Sequence, residues 1–355
     1  MRRRSYDRVV ARVDVICLPA VEPLHLLGLQ LHLLDKIKSG DTAPVLLLFQ
    51  LSGEIISLGR YHLYDGPASR GGIGAYRRLT GGRIINHGTG WVGCSLILPS
   101  RTAALSERDA KLRPEQVMNR YARGAIAGLR ALGIDCFYPG RDAITCAGRE
   151  LAMCTFEENA DRALLFELFI AAGRGLDSLP ADMERFDPDG SLSCQLYNAE
   201  TCTSLTRELG RALSFEELAA HLESGYRSAF GGAQRRDLTA AEMAAAGRQA
   251  SGLAQWLGGR WPDPSLNLVG RLSIQLGSME ARLAAAGNLI KQIKFFGDFI
   301  ANSAGLTRFE QNLAAKRLDL VTLSAAAMEV YGDGSNFILG CGDLTNLARL
   351  ILKAS

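Results

Sequence analysis

The chain has 355 residues, of which 47% are hydrophobic and 22% charged, a balance typical of a soluble globular protein. This length predicts two domains, or one large domain with an appendage. The formal net charge of +3 is too small to argue for a nucleic-acid partner, and no apolar run approaches the length of a membrane span. We therefore expect neither a nucleic-acid nor a membrane partner.

The eight cysteines follow no common metal-binding spacing, because no two of them form a CxxC pair. Reduced thiols are expected, and charged residues interrupt the apolar run after the basic N-terminus, so we predict a cytoplasmic location. The chain has far more arginines than lysines. Seven of the 40 Lys and Arg residues are lysines, and none lies between Lys111 and Lys291.

The N-terminal part of the chain predicts strands around one helix. A strand-like run over 9–18 precedes a helix that begins near Pro23, where leucines recur at three- and four-residue steps until Gly40. Two strand-length runs, 45–51 and 54–58, predict a hairpin, and a polar quartet containing Arg60 follows the second.

The stretch 77–99, RRLTGGRIINHGTGWVGCSLILP, is the most informative in the chain. Two arginines precede a Thr-Gly-Gly turn, and a second glycine-rich turn leads into an apolar run of strand length. Glycine lets a ligand approach the backbone closely, and a guanidinium group suits a carboxylate or a phosphate. The pattern indicates an anion-binding loop between two strands. The alternative is a plain hairpin with surface arginines.

The remainder of the chain predicts further helices and strands. The predicted helices before the linker are 113–133, a helix-like segment from Arg162, 204–209, 213–230 and 238–256. Strands are predicted over 142–146 and 150–156, and loops over 136–141 and 177–193. The sequence WLGGRWPDP at 256–264 predicts a linker, which is followed by a three-stranded antiparallel sheet over 272–295 and by helices over 306–318, 323–331 and 344–352.

Four segments, in this order and at suitable spacing, resemble the lipoate–protein ligase family. They are the stretch 77–99, the pair GRDAIT and GREL within 140–151, the WLGGRWPDP linker and the IKFFGDF strand at 293–299. The resemblance covers nearly the whole chain. It implies an α+β protein with a biotin/lipoyl ligase-like catalytic domain, made of mixed β-sheets with flanking helices, over residues 1–262. A small α+β C-terminal domain is implied over residues 263–355.

The family resemblance also implies an activity and a site. Members activate lipoate or octanoate with ATP and Mg²⁺ to the acyl-adenylate, and transfer the acyl group to a lysine of a lipoyl carrier domain, such as the H protein or an E2 domain. Arginine and backbone N–H groups suit the negative charge of that reaction. The residues implied to bind substrate or nucleotide are Arg60, Arg77, Arg78, Thr80, Gly81, Gly82, Arg83, Ile84 and His87.

The sequence departs from the family pattern at the residues implied to be catalytic. Glu150 stands where the family has its essential lysine, and Asp142 followed by Ala143 stands where it has an Asn-Asp pair near the metal. Arg83 replaces the third loop glycine. A histidine expected near residues 164–168 is absent, and Trp91 replaces an asparagine.

Three hypotheses follow from these departures. In a divergent ligase, Arg83 or Arg149 takes the electrostatic role of the lysine and Asp142 holds Mg²⁺. In a cysteine-dependent octanoyl transferase, Cys136 is the nucleophile and nearby Arg141 lowers its pKa. In a non-catalytic lipoyl- or acyl-binding module, the pocket remains but adenylation is lost.

Overall fold

The computed structural model of the chain describes residues 12–38, 43–64, 69–102, 112–187, 197–253 and 263–354. An eight-stranded sheet lies at the centre. In spatial order its strands are β12 (Ala233–Arg235), β1 (Val13–Val21), β2 (Val45–Leu51), β7 (Trp91–Leu98), β11 (Leu164–Ala171), β10 (Arg149–Glu158), β9 (Ala143–Cys146) and β8 (Cys136–Phe137). β7 and β11 are buried along their whole length, and their sequences are apolar except at a few positions such as Ser95 and Glu167.

Helices cover both faces of the large sheet. α2 (Pro114–Ala131) and α5 (Phe215–Phe230) pack on one face, and α1 (Pro23–Lys38) and α6 (Ala240–Ser251) lie on the other. The shorter α3 (Leu179–Phe186) and α4 (Leu205–Leu209) follow β11. The predicted helix at the N-terminus and those over 113–133, 204–209, 213–230 and 238–256 are confirmed, with ends shifted by a few residues.

A second, four-stranded sheet has the order β4 (Ser69–Arg70), β5 (Ile73–Arg77), β3 (Ile55–Leu58) and β6 (Ile85–His87). The predicted hairpin of 45–51 with 54–58 is wrong, because β2 pairs with β1 and β7, whereas β3 pairs with β5 and β6. β2 is buried almost throughout and has a strand on each side, which leaves β3 to build a separate sheet. For the same reason, β6 and β7 do not form the alternative hairpin.

Three further predictions for this part of the chain are wrong. The helix-like segment after Arg162 is the strand β11. Its eight residues are almost all apolar, so they show neither the alternation of a half-buried strand nor the 3.6-residue period of a helix. The loop predicted over 177–193 contains α3, and the link predicted over 136–141 begins with the edge strand β8. The strands over 142–146 and 150–156 are confirmed as the antiparallel pair β9 and β10.

The C-terminal part of the chain forms a second α+β unit. The predicted antiparallel sheet is confirmed as β13 (Leu268–Ile274), β14 (Gly277–Ala286) and β15 (Leu289–Gly297). The three predicted helices are α7 (Ser303–Asn312), α8 (Leu320–Tyr331) and α9 (Thr345–Leu352), and a short pair joins β16 (Ile300–Ala301) to β17 (Ile338–Leu339).

The predicted linker lies almost entirely outside the described residues, so the boundary between residues 262 and 263 stays a prediction. No helix in the described ranges has both the length and the apolar character needed to cross a membrane.

The contact between α2 and α5 depends on glycine. A Cβ atom added at Gly225 would lie 2.1 Å from the carbonyl oxygen of Gly124 and 2.6 Å from the backbone nitrogen of Gly128. Real Cβ atoms do not approach backbone this closely, so a side chain at Gly225 would force the two helices apart.

We therefore expect Gly225→Ala to lower the free energy of unfolding by about 1–3 kcal/mol. Gly247→Ala is the matched control, because Gly247 also lies inside a helix but has no atom within 4 Å of its added Cβ. That control should gain about 0.5–1 kcal/mol through helix propensity. Urea unfolding measures both, and equal effects of the two substitutions would contradict the packing argument.

Candidate functional site

The site is built around the glycine loop, Leu79–Ile84, which connects β5 to β6. Arg78 precedes it, and its guanidinium has no exposure to solvent. One terminal nitrogen donates to the carbonyls of Gly81 at 2.7 Å and Arg83 at 2.6 Å, and the other donates to the carbonyl of Ser57 at 3.2 Å. The interpretation as a turn with surface arginines is therefore wrong for Arg78, which braces the loop from inside.

Arg77 and Arg60 also bind backbone carbonyls near the loop. Arg77 is buried and donates to the carbonyls of His62 at 2.6 Å and Gly59 at 3.2 Å. Arg60 is half-buried and donates through its side chain to the carbonyl of Leu79 at 3.2 Å. Arg60, Arg77 and Arg78 thus lie near one another, and each donates hydrogen bonds to backbone carbonyls of the chain.

The C-terminal unit contacts the loop directly. The Gly82 N–H donates to the carbonyl of Phe299 at 2.8 Å, and a Cβ atom at Gly81 would lie 2.5 Å from the same oxygen. Beside this bond, Tyr61 stacks on Phe299 with ring centroids 4.7 Å apart. Because Gly81 and Gly82 have no side chains, another group can approach the loop's backbone closely. In this structure that group is the carbonyl of Phe299.

Arg83 belongs to a charge cluster that we define as Arg83, Arg141, Asp142 and Glu150. Arg83 binds Asp142 through two hydrogen bonds of 2.7 and 3.0 Å, and binds Glu150 at 2.9 Å. Arg141 pairs with the other oxygen of Glu150. The Arg83 guanidinium also lies 5.3 Å from the ring centroid of Tyr197. Two positive and two negative groups therefore neutralise one another.

Burial opposes the charge of Arg83, but Asp142 and Glu150 outweigh that effect and raise its pKa well above the ordinary value. Next to Arg83, Ile84 is buried, and its carbonyl accepts a hydrogen bond from the Tyr197 hydroxyl at 3.2 Å.

Asp142 does not fit the role of a Mg²⁺ ligand in this arrangement. Both of its oxygens accept hydrogen bonds from Arg83, and the side chain is buried. Within the described parts of the chain, no group of three or more His, Cys, Asp or Glu side chains could hold a metal ion. Asp142 acts here as the partner of a guanidinium.

His87 is buried among aromatic rings. Its ring centroid lies 5.7 Å from that of Phe49 and 5.4 Å from that of Phe169, and neither ring nitrogen has a hydrogen-bond partner among the described residues. Burial, assisted by the charge of Arg78, lowers the pKa of His87 to about 3. The imidazole is therefore neutral at physiological pH.

Cys136 and Arg149 lie apart from the glycine loop's contacts. Burial raises the pKa of the Cys136 thiol to about 11, and Arg141, which we expected to lower it, pairs with Glu150 instead. Arg149 binds Glu208 at 2.6 Å, because successive side chains of β10 point to opposite faces. Of the two arginines predicted to replace the lysine, only Arg83 reaches the charge cluster.

A cavity of about 320 Å³ lies beside the charge cluster, between the central sheet and the C-terminal unit. Arg141 and Asp142 line its wall on one side, and Asn336 and Phe337 line it on the other. This volume is within the range of small-molecule sites.

Sequence reasoning missed several residues that shape the site. Glu167 and Thr155 bond to the glycine loop from the sheet below, Tyr197 lies against Arg83, and Phe299 binds the Gly82 amide. Of these residues, the sequence singles out only Glu167, because it is the one charged residue in the apolar run LLFELFIA, and a buried charge needs a partner.

Comparison with known proteins gives a family-model match to part of the chain, and a fold. The model of the lipoyl protein ligase A/B catalytic domain matches residues 22–166. Lipoate-bound LipL1 from P. falciparum has a TM-score of 0.69 at 13% identity, and the match covers 96% of this chain and 99% of that chain. No curated protein sequence matches.

Two further solved structures are similar. The bipartite lipoate protein ligase of Thermoplasma acidophilum has a TM-score of 0.53 at 16% identity, covering 71% of this chain and 98% of that one. Lipoate-protein ligase A bound with ATP has a TM-score of 0.54 at 14% identity, covering 69% and 97%. At these identities the structures show the fold, and the predicted α+β ligase-like fold is confirmed.

The buried His87 generates a pH-dependent prediction. Its folded-state pKa of about 3 is below the ordinary 6.5, so the unfolded chain binds one more proton between these values, and stability is lost as the pH falls through that window. Between pH 7 and pH 5, we expect the wild-type protein to lose about 2 kcal/mol more unfolding free energy than His87→Phe, measured in urea. An equal loss in both proteins would show that His87 is not buried in its neutral form.

Proposed function

We propose that the chain acts as a lipoate–protein ligase, since the model of the lipoyl protein ligase A/B catalytic domain matches its residues 22–166, and that it activates lipoate or octanoate with ATP. The product is the acyl-adenylate, and the acyl group then passes to a lysine of a lipoyl carrier domain. Adenylation places negative charge on a phosphate and on a carboxylate oxygen. The site must therefore supply a fixed cation where that charge develops.

One observation carries the proposal. Arg83 lies 2.9 Å from the carboxylate of Glu150, the position at which the family resemblance expects a lysine. The chain thus brings a cation to this position from the glycine loop, while a carboxylate occupies the strand position. A guanidinium is always charged and offers several donors in fixed geometry, so it can perform the electrostatic role assigned to the lysine.

The substrates must compete with carboxylates for this cation. Asp142 and Glu150 neutralise Arg83 in the described structure, and Arg141 pairs with Glu150. Arg141 is partly exposed and lines the neighbouring cavity, so it supplies a second cation for a nucleotide phosphate. The predicted metal ligand Asp142 is engaged with Arg83, and the proposal assigns no step to a metal ion held there.

The acceptor in this proposal is a lipoyl carrier domain of the H-protein or E2 type. The structure of the Thermoplasma acidophilum ligase describes an archaeal lipoylation system with its E2 lipoyl domain, which supports this class of partner. Octanoate as a substrate and a cytoplasmic location stay predictions.

A second candidate is a non-catalytic lipoyl- or acyl-binding module. It is favoured by the bond from the Gly82 N–H to the Phe299 carbonyl and by the mutual neutralisation within the charge cluster. In such a module these contacts persist, and adenylation does not occur. The cysteine-dependent transferase has less support, because burial raises the pKa of the Cys136 thiol to about 11.

We expect the protein to release pyrophosphate from ATP when lipoate or octanoate is added. Arg83→Gln should lower kcat/KM at least about 100-fold, since it removes a charged donor from the site. Arg149→Gln is the matched control, because Arg149 is also an arginine paired with a glutamate but points away from the cluster. That control should retain activity within about threefold, as expected for a partly exposed ion pair.

Arg83→Gln leaves Asp142 buried without its partner, so the double variant Arg83→Gln/Asp142→Asn tests activity in a protein without that unpaired charge. Calorimetric binding of lipoate without pyrophosphate release would favour the binding module. Absence of both binding and release would contradict both candidates.

A further inference from the structure

A row of polar residues crosses the apolar central sheet beneath the glycine loop. Thr155 on β10 lies opposite Glu167 on β11, and Glu167 lies opposite Ser95 on β7. Residues directly opposite one another in antiparallel strands share a face of the sheet. All three are buried, so each must form hydrogen bonds inside the protein.

One oxygen of Glu167 binds the glycine loop, and the other binds α1 and the neighbouring strand β7. One oxygen accepts a hydrogen bond of 2.5 Å from the Thr80 hydroxyl. The other accepts from the Gln30 amide at 2.7 Å and from the Ser95 hydroxyl at 3.4 Å. Burial raises the pKa of the carboxyl, while the bond from Thr80 and the charge of Arg78 oppose that rise. The side chain of Thr80 is therefore tied to the sheet by a buried carboxyl group.

The next residue of the loop is tied to the same row. The Thr155 hydroxyl donates to the Gly81 carbonyl at 3.0 Å. In a trans peptide the carbonyl and the following N–H point in opposite directions, and the chain has no cis peptide among its described residues. Because the Gly81 carbonyl points to the sheet, the Gly82 N–H of the same peptide points away from it, toward Phe299.

We propose that Glu167 is a positioning residue, which through Thr80 orients the Gly81–Gly82 peptide so that its N–H points away from the sheet, toward the Phe299 carbonyl that an anionic group of the substrate would displace. Thr155 supports the same orientation through the Gly81 carbonyl. This inference rests on the proposed function for the identity of the substrate. The orientation of the loop itself does not depend on it.

The test compares four variants of the full-length chain. Thr80→Val removes the donor to Glu167 at nearly constant shape, and Glu167→Leu removes the acceptor. Thr80→Ser retains the hydroxyl. Ser95→Ala is the matched control, because Ser95 is buried in the same row but bonds to the Glu167 oxygen that Thr80 does not use.

Two measurements are made on each variant. Titration calorimetry gives the dissociation constant for lipoate, and hydrogen–deuterium exchange gives the opening of the backbone over residues 79–83. We expect Thr80→Val and Glu167→Leu to weaken lipoate binding about tenfold or more and to accelerate exchange in the loop. Thr80→Ser and Ser95→Ala should remain within about twofold of the wild type. The double variant Thr80→Val/Glu167→Leu should be no weaker than either single variant.

The outcomes separate this inference from the proposed function. If the wild-type protein binds no lipoate, the proposed function fails, and exchange over residues 79–83 still decides whether Glu167 positions the loop. If Thr80→Val leaves both exchange and binding as in the wild type, the positioning role is overturned. Equal acceleration in Ser95→Ala and Thr80→Val would also overturn it, because the effect would then be general loosening of the row.

Discussion

The geometry of the site depends on a guanidinium that is completely removed from water. Arg78 donates to carbonyls on both sides of the glycine turn, which holds the chain in a tight arc. Burial lowers the pKa of Arg78, and the charge of Glu167 opposes that shift. The turn directs the Gly82 N–H toward the C-terminal unit and the side chain of Arg83 toward Asp142 and Glu150.

The charge cluster contains a cation where the family resemblance implies a glycine, and an anion where it implies a lysine. The cation is Arg83 in the loop and the anion is Glu150 on β10, and the two side chains form a hydrogen bond of 2.9 Å. A positive group therefore remains beside this part of the sheet, although it comes from a different element. The identity of the cation matters chemically. An amine beside an acyl-adenylate is a nucleophile when it loses its proton, whereas a guanidinium keeps its proton and does not react.

Local patterns predicted much of the fold, and contacts distant in sequence account for the errors. The helix at residues 23–38, the β9–β10 pair and the C-terminal sheet each have a clear period or a short turn. β11 was misread because it is buried on both faces and has no alternation. β2 pairs with β7 and β3 pairs with β6, and these partner strands lie later in the chain, where no local pattern could indicate them.

The same distinction applies to the site. The loop and its arginines were visible because glycine and arginine have specific physical uses. The proximity of Arg83 to Glu150 follows only from the fold, since 67 residues separate them. Glu167 was an anomaly in an apolar run, but its partner Thr80 lies 87 residues earlier. No spacing rule connects two residues that far apart.

The bond from the Gly82 N–H to the Phe299 carbonyl has a thermodynamic consequence. A group that accepted a hydrogen bond from this N–H would have to displace the Phe299 carbonyl. Binding at this N–H and the contact of the C-terminal unit with the loop would therefore be linked, with the same coupling free energy in both directions. The affinity of any such group would include the work of displacing a tethered competitor, whose effective concentration the intervening chain fixes.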